Sequence, residues 1–222
     1  MTGRWEERLA RELASEALFD EGVEAARNAC VAGASIAAAA ITAAAWYDNP
    51  LTGVGALTRC MQRLGELPLK LESWRLGLRG EIDPEIGDVA VTPGFGFVSA
   101  AQDESIQRAC RRLVAAAAPG EDPARARFFL RHHAELRAVS GPLNQAGLAA
   151  LCFVDHGVER DQAERRFMTW RIETAIGEAQ RARRRGLAAF PFFTEQHVYE
   201  GARPPPAPPW DLDELMRKVG LG

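Results

Sequence analysis

The 222-residue sequence is poor in the patterns that mark metal sites and disulfide frameworks. It has four cysteines, which stand far apart, and it contains no CxxC pair. This pattern argues against a zinc site and against a disulfide-stapled fold, and it is typical of proteins of a reducing cytoplasm. We therefore expect no metal and no structural disulfide. The four cysteines are Cys30, Cys60, Cys110 and Cys152.

A strong charge of one sign is also missing. The formal net charge is −3 and no long basic block occurs, so the sequence offers no electrostatic argument for nucleic acid or an anionic membrane as a partner. The first eight residues carry several charges where a secretory signal needs an apolar core. We expect a cytoplasmic protein without a membrane or nucleic-acid partner.

What the chain does have is helical periodicity. Apolar residues make up 47% and charged residues 26%, which excludes disordered, collagen-like and coiled-coil classes. No stretch shows convincing period-two alternation, apart from a possible short piece near residues 192–199. The fold class predicted from this pattern is all-α. The predicted helices are 4–28, 54–66, 103–118, 123–138, 144–156 and 160–185, with 77–96 as a loop.

An alanine-rich run of 18 uncharged residues extends from Cys30 to Tyr47. Its length nearly suffices for a membrane span, but alanine partitions weakly into lipid and no basic flank supports insertion. The run is better interpreted as a buried helix whose small side chains allow neighbouring helices, or a second subunit, to approach closely. Asp48-Asn49-Pro50 is expected to end it.

The C-terminal segment changes character at a proline-rich run. Residues 203–209 favour an extended polyproline conformation. Beyond them Asp211 and Glu214 are spaced as a capping box, and Leu212, Leu215, Met216 and Val219 form one apolar stripe. The segment is expected to dock on another surface.

Three segments, in order along the chain, resemble the citrate synthase family in its short bacterial and citryl-CoA lyase-like forms. Residues 49–56 (NPLTGVGA) resemble the family's G-P-L-H-G-G-A turn, and residues 93–98 (PGFGFV) are similar to its P-G-F-G-H-R segment. Residues 144–151 (NQAGLAAL) resemble its N-I-D-G-x-S-A-x-L helix. Further on, 167–171 (FMTWR) resemble its L-F-x-x-x-R helix, and 197–201 (HVYEG) resemble its Y-x-G return to the large domain.

The resemblance implies a large helical domain with a smaller helical lobe. Residues 1–103 would begin the large domain, 104–180 would form the lobe, and 181–222 would return to the large domain and add a proline-rich arm. The family's N-terminal part would precede residue 1, so the expected fold is shortened there.

The positions that carry the family's chemistry are replaced in this sequence. The resemblance implies that two histidines and one aspartate would perform a Claisen-type condensation or its reverse, but the matching positions hold Thr52, Phe97 and Ala146. Val98 stands where the family has a carboxylate-binding arginine. The remaining candidates for ligand binding are Thr52, Gly94, Gly96, Asn144 and Arg171, although Arg171 also fits a purely structural role and Asn144 a helix cap.

Two functions from different classes follow from this resemblance. The first is a non-catalytic or partner-dependent subunit of an acyl-CoA and 2-oxoacid system. The alternative is an enzyme of altered chemistry that acts on an acyl-CoA or a small carboxylate in the same cleft. Catalysis therefore stays open, no cofactor is expected, and CoA or acyl-CoA is the ligand implied. The expected partner is a second copy of the chain, or a catalytic citrate synthase-like subunit.

Two histidine motifs have simpler explanations than chemistry. Adjacent helical residues such as His132 and His133 point in different directions and do not readily share a metal ion. His156 follows Asp155 at a predicted helix end, where an imidazole interacts favourably with the helix dipole. Capping is the preferred interpretation of Asp155 and His156.

Overall fold

The computed structural model describes residues 4–15, 20–82, 90–96 and 98–185. This part of the chain is mostly helical, which confirms the all-α fold class. It contains nine helices and one antiparallel pair of two-residue strands, in which Glu81 pairs with Val91. The elements are α1 (Arg4–Ser15), α2 (Glu21–Val31), α3 (Ile36–Tyr47), α4 (Val54–Glu66), α5 (Leu71–Gly77), β1 (Glu81–Ile82), β2 (Ala90–Val91), α6 (Ala100–Ala115), α7 (Ala124–Ser140), α8 (Gln145–Asp155) and α9 (Arg160–Arg185).

Two predicted helix boundaries are right, and side-chain N-caps explain two that are wrong. The bounds of α4 and α9 agree with the predicted 54–66 and 160–185. The single helix predicted over 4–28 is wrong, because Asp20 caps a new helix by accepting a hydrogen bond from Val23 N at 3.0 Å. The alanine run is likewise divided, since α3 begins only after Ser35, whose Oγ accepts from Ala38 N at 3.1 Å. The prediction of a loop over 77–96 missed the two short strands β1 and β2. Helix α5 precedes this segment.

The larger core surrounds α8. Residues 145–153 of this helix are all buried, and α1, α4, α6, α7 and the first half of α9 contribute side chains around them. Trp74, Phe95, Phe153 and Phe167 are among its largest fully buried side chains. Because α8 is enclosed on every side, its N-terminus is held in a fixed position, and this matters for the site described below.

A second, smaller core joins α2, α3 and the second half of α9. Its buried members are mostly alanines, with Tyr47 as the one aromatic ring. Small side chains permit close approach of the three helices, as the alanine content predicted. The buried members are Val23, Ala26, Cys30, Ala39, Ala43, Tyr47, Ala175 and Ala179.

The opposite face of α3 is exposed in the single chain, so the prediction of a buried helix is confirmed for one face only. Ala37, Ile41 and Ala45 form the exposed face, with 72% of Ile41 accessible to solvent, and Trp46 near the end of the helix is 50% accessible. The helix carries no charged residue. None of the helices in the described ranges has both the length and the apolarity that a membrane span requires.

By its internal contacts the chain divides into Met1–Ala189 and Phe190–Gly222, and every described residue belongs to the first unit. The proposed boundary between a large domain and a lobe at residue 104 stays a prediction. The predicted proline-rich arm and apolar stripe, as well as residues 192–201, lie outside the described residues.

Candidate functional site

The loop between α3 and α4 is organised by one side chain. Asn49 Oδ1 accepts hydrogen bonds from the backbone N–H groups of Leu51 at 2.9 Å, Thr52 at 2.8 Å and Gly53 at 3.3 Å. Asparagine favours such local bonds in turns. Gly53 leaves no room for a side chain, since a Cβ there would lie 2.0 Å from the Tyr47 carbonyl oxygen. The loop is therefore a rigid turn that presents Thr52.

The turn at residues 92–96 is joined by its backbone to the start of α8. Asn144 N donates to Gly94 O at 3.1 Å, and Gly96 N donates to Pro142 O at 2.7 Å. Asn144 also caps α8, because its Oδ1 accepts from Gly147 N at 3.1 Å. Its Nδ2 lies 3.5 Å from Leu51 O, which links α8 to the Asn49 turn.

Two glycines allow this turn and α8 to come into contact. A Cβ on Gly147 would lie 2.1 Å from Gly94 O, and a Cβ on Gly94 would lie 2.6 Å from Cys60 Sγ. Gly94 also has a φ of +83°, which side chains rarely adopt. The segments that resemble the citrate synthase family at 49–56, 93–98 and 144–151 thus meet at one place in the fold.

A buried ion pair lies beside this meeting point. Arg171 Nη2 of α9 is 2.8 Å from Asp20 Oδ2, and both side chains are almost fully buried. Asp20 Oδ1 accepts from Tyr47 Oη at 3.1 Å, in addition to capping α2. The guanidinium lies over the Tyr47 ring, 4.4 Å from its centroid, and 5.2 Å from that of Phe167. Burial raises the pKa of the Tyr47 phenol, so this hydroxyl stays protonated.

Arg171 has hydrogen-bonding capacity that the described protein atoms leave unused. Its Nε and Nη1 are buried and find no hydrogen-bond partner among the described residues, and only 5% of the residue is exposed. A buried donor without an acceptor costs on the order of 1–3 kcal/mol, and more when it is charged. The recess in front of Arg171 has a volume of about 10 Å³, which corresponds to roughly one water-sized group. Its described lining consists of Asp20, Glu21, Thr52, Val98, Gln102, Asn144, Gln145 and Arg171.

The recess adjoins a larger and mainly apolar cleft, because Glu21 and Thr52 line both cavities. This cleft has a volume of about 410 Å³ and lies at the C-terminal end of α3. Such a volume falls within the range of small-molecule sites. Its remaining described lining residues are Ala45, Trp46, Asn49 and Leu51.

The residues predicted from the sequence differ in how they relate to the recess. Thr52, Asn144 and Arg171 line it together with Val98. Gly94 and Gly96 do not line it but form the turn packed against α8. Ala146 is fully buried in the larger core, one residue beyond the lining residue Gln145. Phe97 lies outside the described residues, between Gly96 and Val98.

Sequence reasoning overlooked the acidic side of the site. Asp20 and Glu21 were placed inside a continuous helix, where they had no assigned role. The sequence did contain a signal for a helix start at this point, because Asp20 directly precedes the acidic residue Glu21, and an aspartate before an acidic first turn is typical of a helix start. No sequence signal pairs Asp20 with Arg171, since nothing local relates two residues so far apart in the chain.

The other chemistry-bearing residues in the described part of the chain have structural roles. All four cysteines are buried and free, and burial raises the pKa of Cys60 and of Cys110 to about 12, so they are poor nucleophiles. His156 ends α8 as the preferred interpretation expected, and it stacks on Trp5 with ring centroids 4.0 Å apart. Among the described residues, no three His, Cys, Asp or Glu side chains are grouped to hold a metal ion.

Asp155 caps a different helix from the one it ends. Its carboxylate accepts from Arg125 N at 2.9 Å and from Ala126 N at 3.1 Å, which holds the first turn of α7 against the end of α8. A carboxylate at a helix N-terminus also interacts favourably with the helix dipole. Its role is therefore structural.

Comparison with protein families, with curated proteins and with solved structures finds no match in any of the three. The resemblance to the citrate synthase family thus depends on the segments described above and on their meeting in the fold.

Proposed function

We propose that this protein is a non-catalytic member of the citrate synthase superfamily that acts as a binding subunit in an acyl-CoA and 2-oxoacid system. The observation that carries the proposal is the meeting of three resembling segments around one recess whose buried charges are already paired. The turn at Asn49, the turn at Gly94 and the N-terminus of α8 are in contact there. Thr52, Asn144 and Arg171, the polar ligand-binding candidates named from the sequence, line that recess.

The groups that line the recess are unsuited to proton transfer. Of its described residues, none is a histidine, and Asp20 is engaged by Arg171, Tyr47 and the backbone of Val23. Glu21 is exposed at the mouth. General acid–base groups contribute about 10²–10⁴-fold each, so a site without a poised pair retains mainly binding and positioning.

The charge and size of the recess support binding of a small neutral group. Asp20 neutralises Arg171, so a second carboxylate would gain little from the guanidinium. The volume of about 10 Å³ accommodates roughly one acceptor atom with its hydrogen bonds, such as a carbonyl oxygen of a thioester or amide. Such an oxygen would satisfy Nε or Nη1 of Arg171.

The exposed face of α3 supports a partner-dependent role. Ile41 is one of the large apolar side chains that the described surface exposes, and it shares one face of an uncharged helix with the exposed Ala37 and Ala45. Burial of such a face is favourable and needs no compensation of charges. We propose that a second copy of the chain, or a catalytic citrate synthase-like subunit, covers this face.

Co-expression tests the proposal. The full chain is produced together with a tagged catalytic citrate synthase-like subunit from the same genome, and the purified material is analysed by size and by turnover. We expect a stoichiometric complex whose turnover differs from that of the catalytic subunit alone. The charge-inserting variant Ile41→Glu should abolish the complex, while Leu76→Glu, at an equally exposed apolar residue of α5, should leave it intact. A chain that never associates would contradict the proposal.

One observation favours the alternative of altered chemistry. Arg171 and Thr52 both line the recess, and polar groups of this kind can stabilise a developing negative charge. Thiol release from an acyl-CoA that requires Arg171 would support this alternative and would contradict the non-catalytic proposal.

A further inference from the structure

The larger cleft has apolar walls and one exposed aromatic ring. Ala45, Trp46 and Leu51 line a volume of about 410 Å³, and half of the Trp46 side chain is accessible to solvent. An exposed indole offers a flat apolar surface and also attracts cations through the negative face of its ring. The cleft therefore suits a ligand with a compact apolar or aromatic body.

The charges around the cleft favour a cation over an anion. The described residues that line the cleft and its recess include two carboxylates, those of Asp20 and Glu21, and one guanidinium, that of Arg171. Because Arg171 is paired with Asp20, Glu21 is the one lining carboxylate without an ion-pair partner among the described residues, although it stands in the first turn of α2, where the helix dipole favours its charge. The C-terminal end of α3, which carries the negative end of a helix dipole, borders the cleft through Ala45 and Trp46.

The nearby cation Arg59 does not reverse this balance. Its Nη2 donates to the Pro50 carbonyl oxygen at 2.7 Å, so the guanidinium holds the backbone of the Asn49 turn. Arg59 does not line the cleft. Of the polar side chains that line the cleft beside Glu21, Asn49 uses its Oδ1 for the turn and its Nδ2 for the Trp46 carbonyl oxygen, and Thr52 Oγ1 lies 3.4 Å from Asn49 Oδ1.

We propose that the cleft binds an organic cation, a protonated amine on an apolar or aromatic body. The body packs on Trp46 between Ala45 and Leu51, and the ammonium group pairs with Glu21. Acyl-CoA and oxoacid ligands are anions, so this ligand class differs from the one implied by the resemblance. The inference does not depend on the proposed function, because it uses only the walls and charges of this cleft.

Ligand-observed saturation-transfer NMR on the full chain tests the proposal with three matched probes. These are 2-phenylethylamine, the uncharged 2-phenylethanol and the anionic 3-phenylpropanoate, titrated at neutral pH. For so small a ligand we expect the amine to bind with a Kd on the order of 1 mM. The alcohol and the carboxylate should bind at least about fivefold more weakly, as expected for loss of an exposed ion pair and a cation–π contact.

Four variants assign the binding to this cleft. Glu21→Gln should weaken binding of the amine about fivefold without changing that of the alcohol, and Trp46→Ala should weaken both. Trp46→Phe keeps an aromatic ring and should retain the preference for the amine. Glu24→Gln is the matched control, because Glu24 lies one turn along α2 and pairs with Arg27 at 3.2 Å.

Several results of these titrations would overturn the proposal. Equal affinity for the three probes overturns the proposal, and so does an amine affinity that Glu21→Gln leaves unchanged or that Glu24→Gln lowers equally. Circular dichroism of each variant verifies that it is folded, which is expected because Glu21 and Trp46 are exposed. A failure here would leave complex formation through α3, and thus the proposed function, untouched.

Discussion

Asp20 and Arg171 show how one buried ion pair can tie together three helices and a ligand recess. Asp20 caps α2, accepts from Tyr47 at the end of α3 and pairs with Arg171 of α9. Two buried charges are tolerated because each compensates the other and because aromatic rings flank the guanidinium. Because Asp20 already compensates the charge of Arg171, an anionic ligand would gain little from this guanidinium.

We predict that Asp20→Asn destabilises the fold by about 3–5 kcal/mol, because it leaves the Arg171 guanidinium buried without a counter-charge. The free energy of unfolding is measured by urea denaturation. Glu24→Gln, which removes an exposed pair with Arg27, should cost no more than about 0.5 kcal/mol. A loss below about 1 kcal/mol for Asp20→Asn would show that the pair is not buried as described.

Gly147→Ala tests the close contact between α8 and the turn at Gly94. The added methyl group would lie 2.1 Å from Gly94 O, so we expect a loss of at least about 2 kcal/mol in the free energy of unfolding. Gly65→Ala is the matched control in α4, since its Cβ would meet nothing within 4 Å. It should stabilise by up to about 0.5–1 kcal/mol, because alanine is the better helix former. Similar effects of the two substitutions would contradict the packing.

At the scale of single residues, the sequence was informative about local chemistry only. The capping role of Asn144 follows from its position before an apolar helix, and the structure confirms it. The partner of Arg171 could not be predicted, because the ion pair exists only once α2 and α9 are packed together. The fully buried position of Ala146 has the same cause, since enclosure of α8 is a property of the whole core.

Among the elements, α1 is attached to the body by apolar contacts in the larger core and by polar and aromatic contacts beside it. Trp5 stacks on His156, Arg8 pairs with Glu121, and Glu6 accepts from Arg166 at 2.7 Å. Leu9 and Leu13 provide its buried apolar contacts. Several of these groups titrate, so the attachment of α1 should depend on pH.

We predict that acidification weakens the fold through His156. Burial lowers the pKa of His156 below its usual value of 6.5, so the unfolded chain binds the proton more readily than the folded one. The free energy of unfolding should therefore fall as pH drops from about 6.5 towards the lowered pKa, and become constant with respect to this group below it. Thermal unfolding at a series of pH values should show this slope for the wild type and a flatter one for His156→Gln.

Two carboxylates, those of Asp155 and Glu121, also have shifted pKa values, and their contributions must cancel when the wild type is compared with His156→Gln. Burial raises the pKa of Asp155, so this group acts in the opposite direction and gains stability as pH falls. The pKa of Glu121 is lowered, because hydrogen bonds from Ala118 and Arg8 outweigh its burial, and its contribution is lost only at more acidic pH. Both are present in the wild type and in His156→Gln, so the difference in slope reports His156 together with its electrostatic interaction with Glu121. Identical slopes would contradict the assignment.

Periodicity predicted helices well where a helix is amphipathic and poorly where it is short or uniform. The alternation of buried and polar positions in α4 fixed both of its ends. The alanine run has no such alternation, so its division by the turn before Ser35 was not predicted. The only local signal was Ser35 itself, which caps α3 but does not stand out in a run of small uncharged residues. The seven-residue α5 is too short for a periodic pattern, and Trp74 is its one buried residue.

For the whole molecule, the uncharged face of α3 leads to a prediction about assembly. Ala37, Ile41 and Ala45 form the exposed face of a helix without charges, and obligate interfaces are built from surfaces of this kind. We predict a two-fold dimer with α3 near its axis and a total buried area above roughly 2,000 Å². Light scattering should give twice the 24.2 kDa mass of the chain, and Ile41→Glu should give the monomer mass. A wild-type monomer at micromolar concentration would contradict this prediction.

The most direct test of the central claim, that a citrate synthase-like recess has lost its chemistry, is the rate of thiol release by the purified full chain supplied with acetyl-CoA and oxaloacetate. We predict no release above the uncatalysed rate, for the wild type and for the combined variant Thr52→His, Phe97→His, Ala146→Asp. That variant lacks the arginine replaced by Val98, and its new carboxylate would stand at a position that is 0% exposed. Turnover by the wild type that Arg171→Ala abolishes would contradict the account.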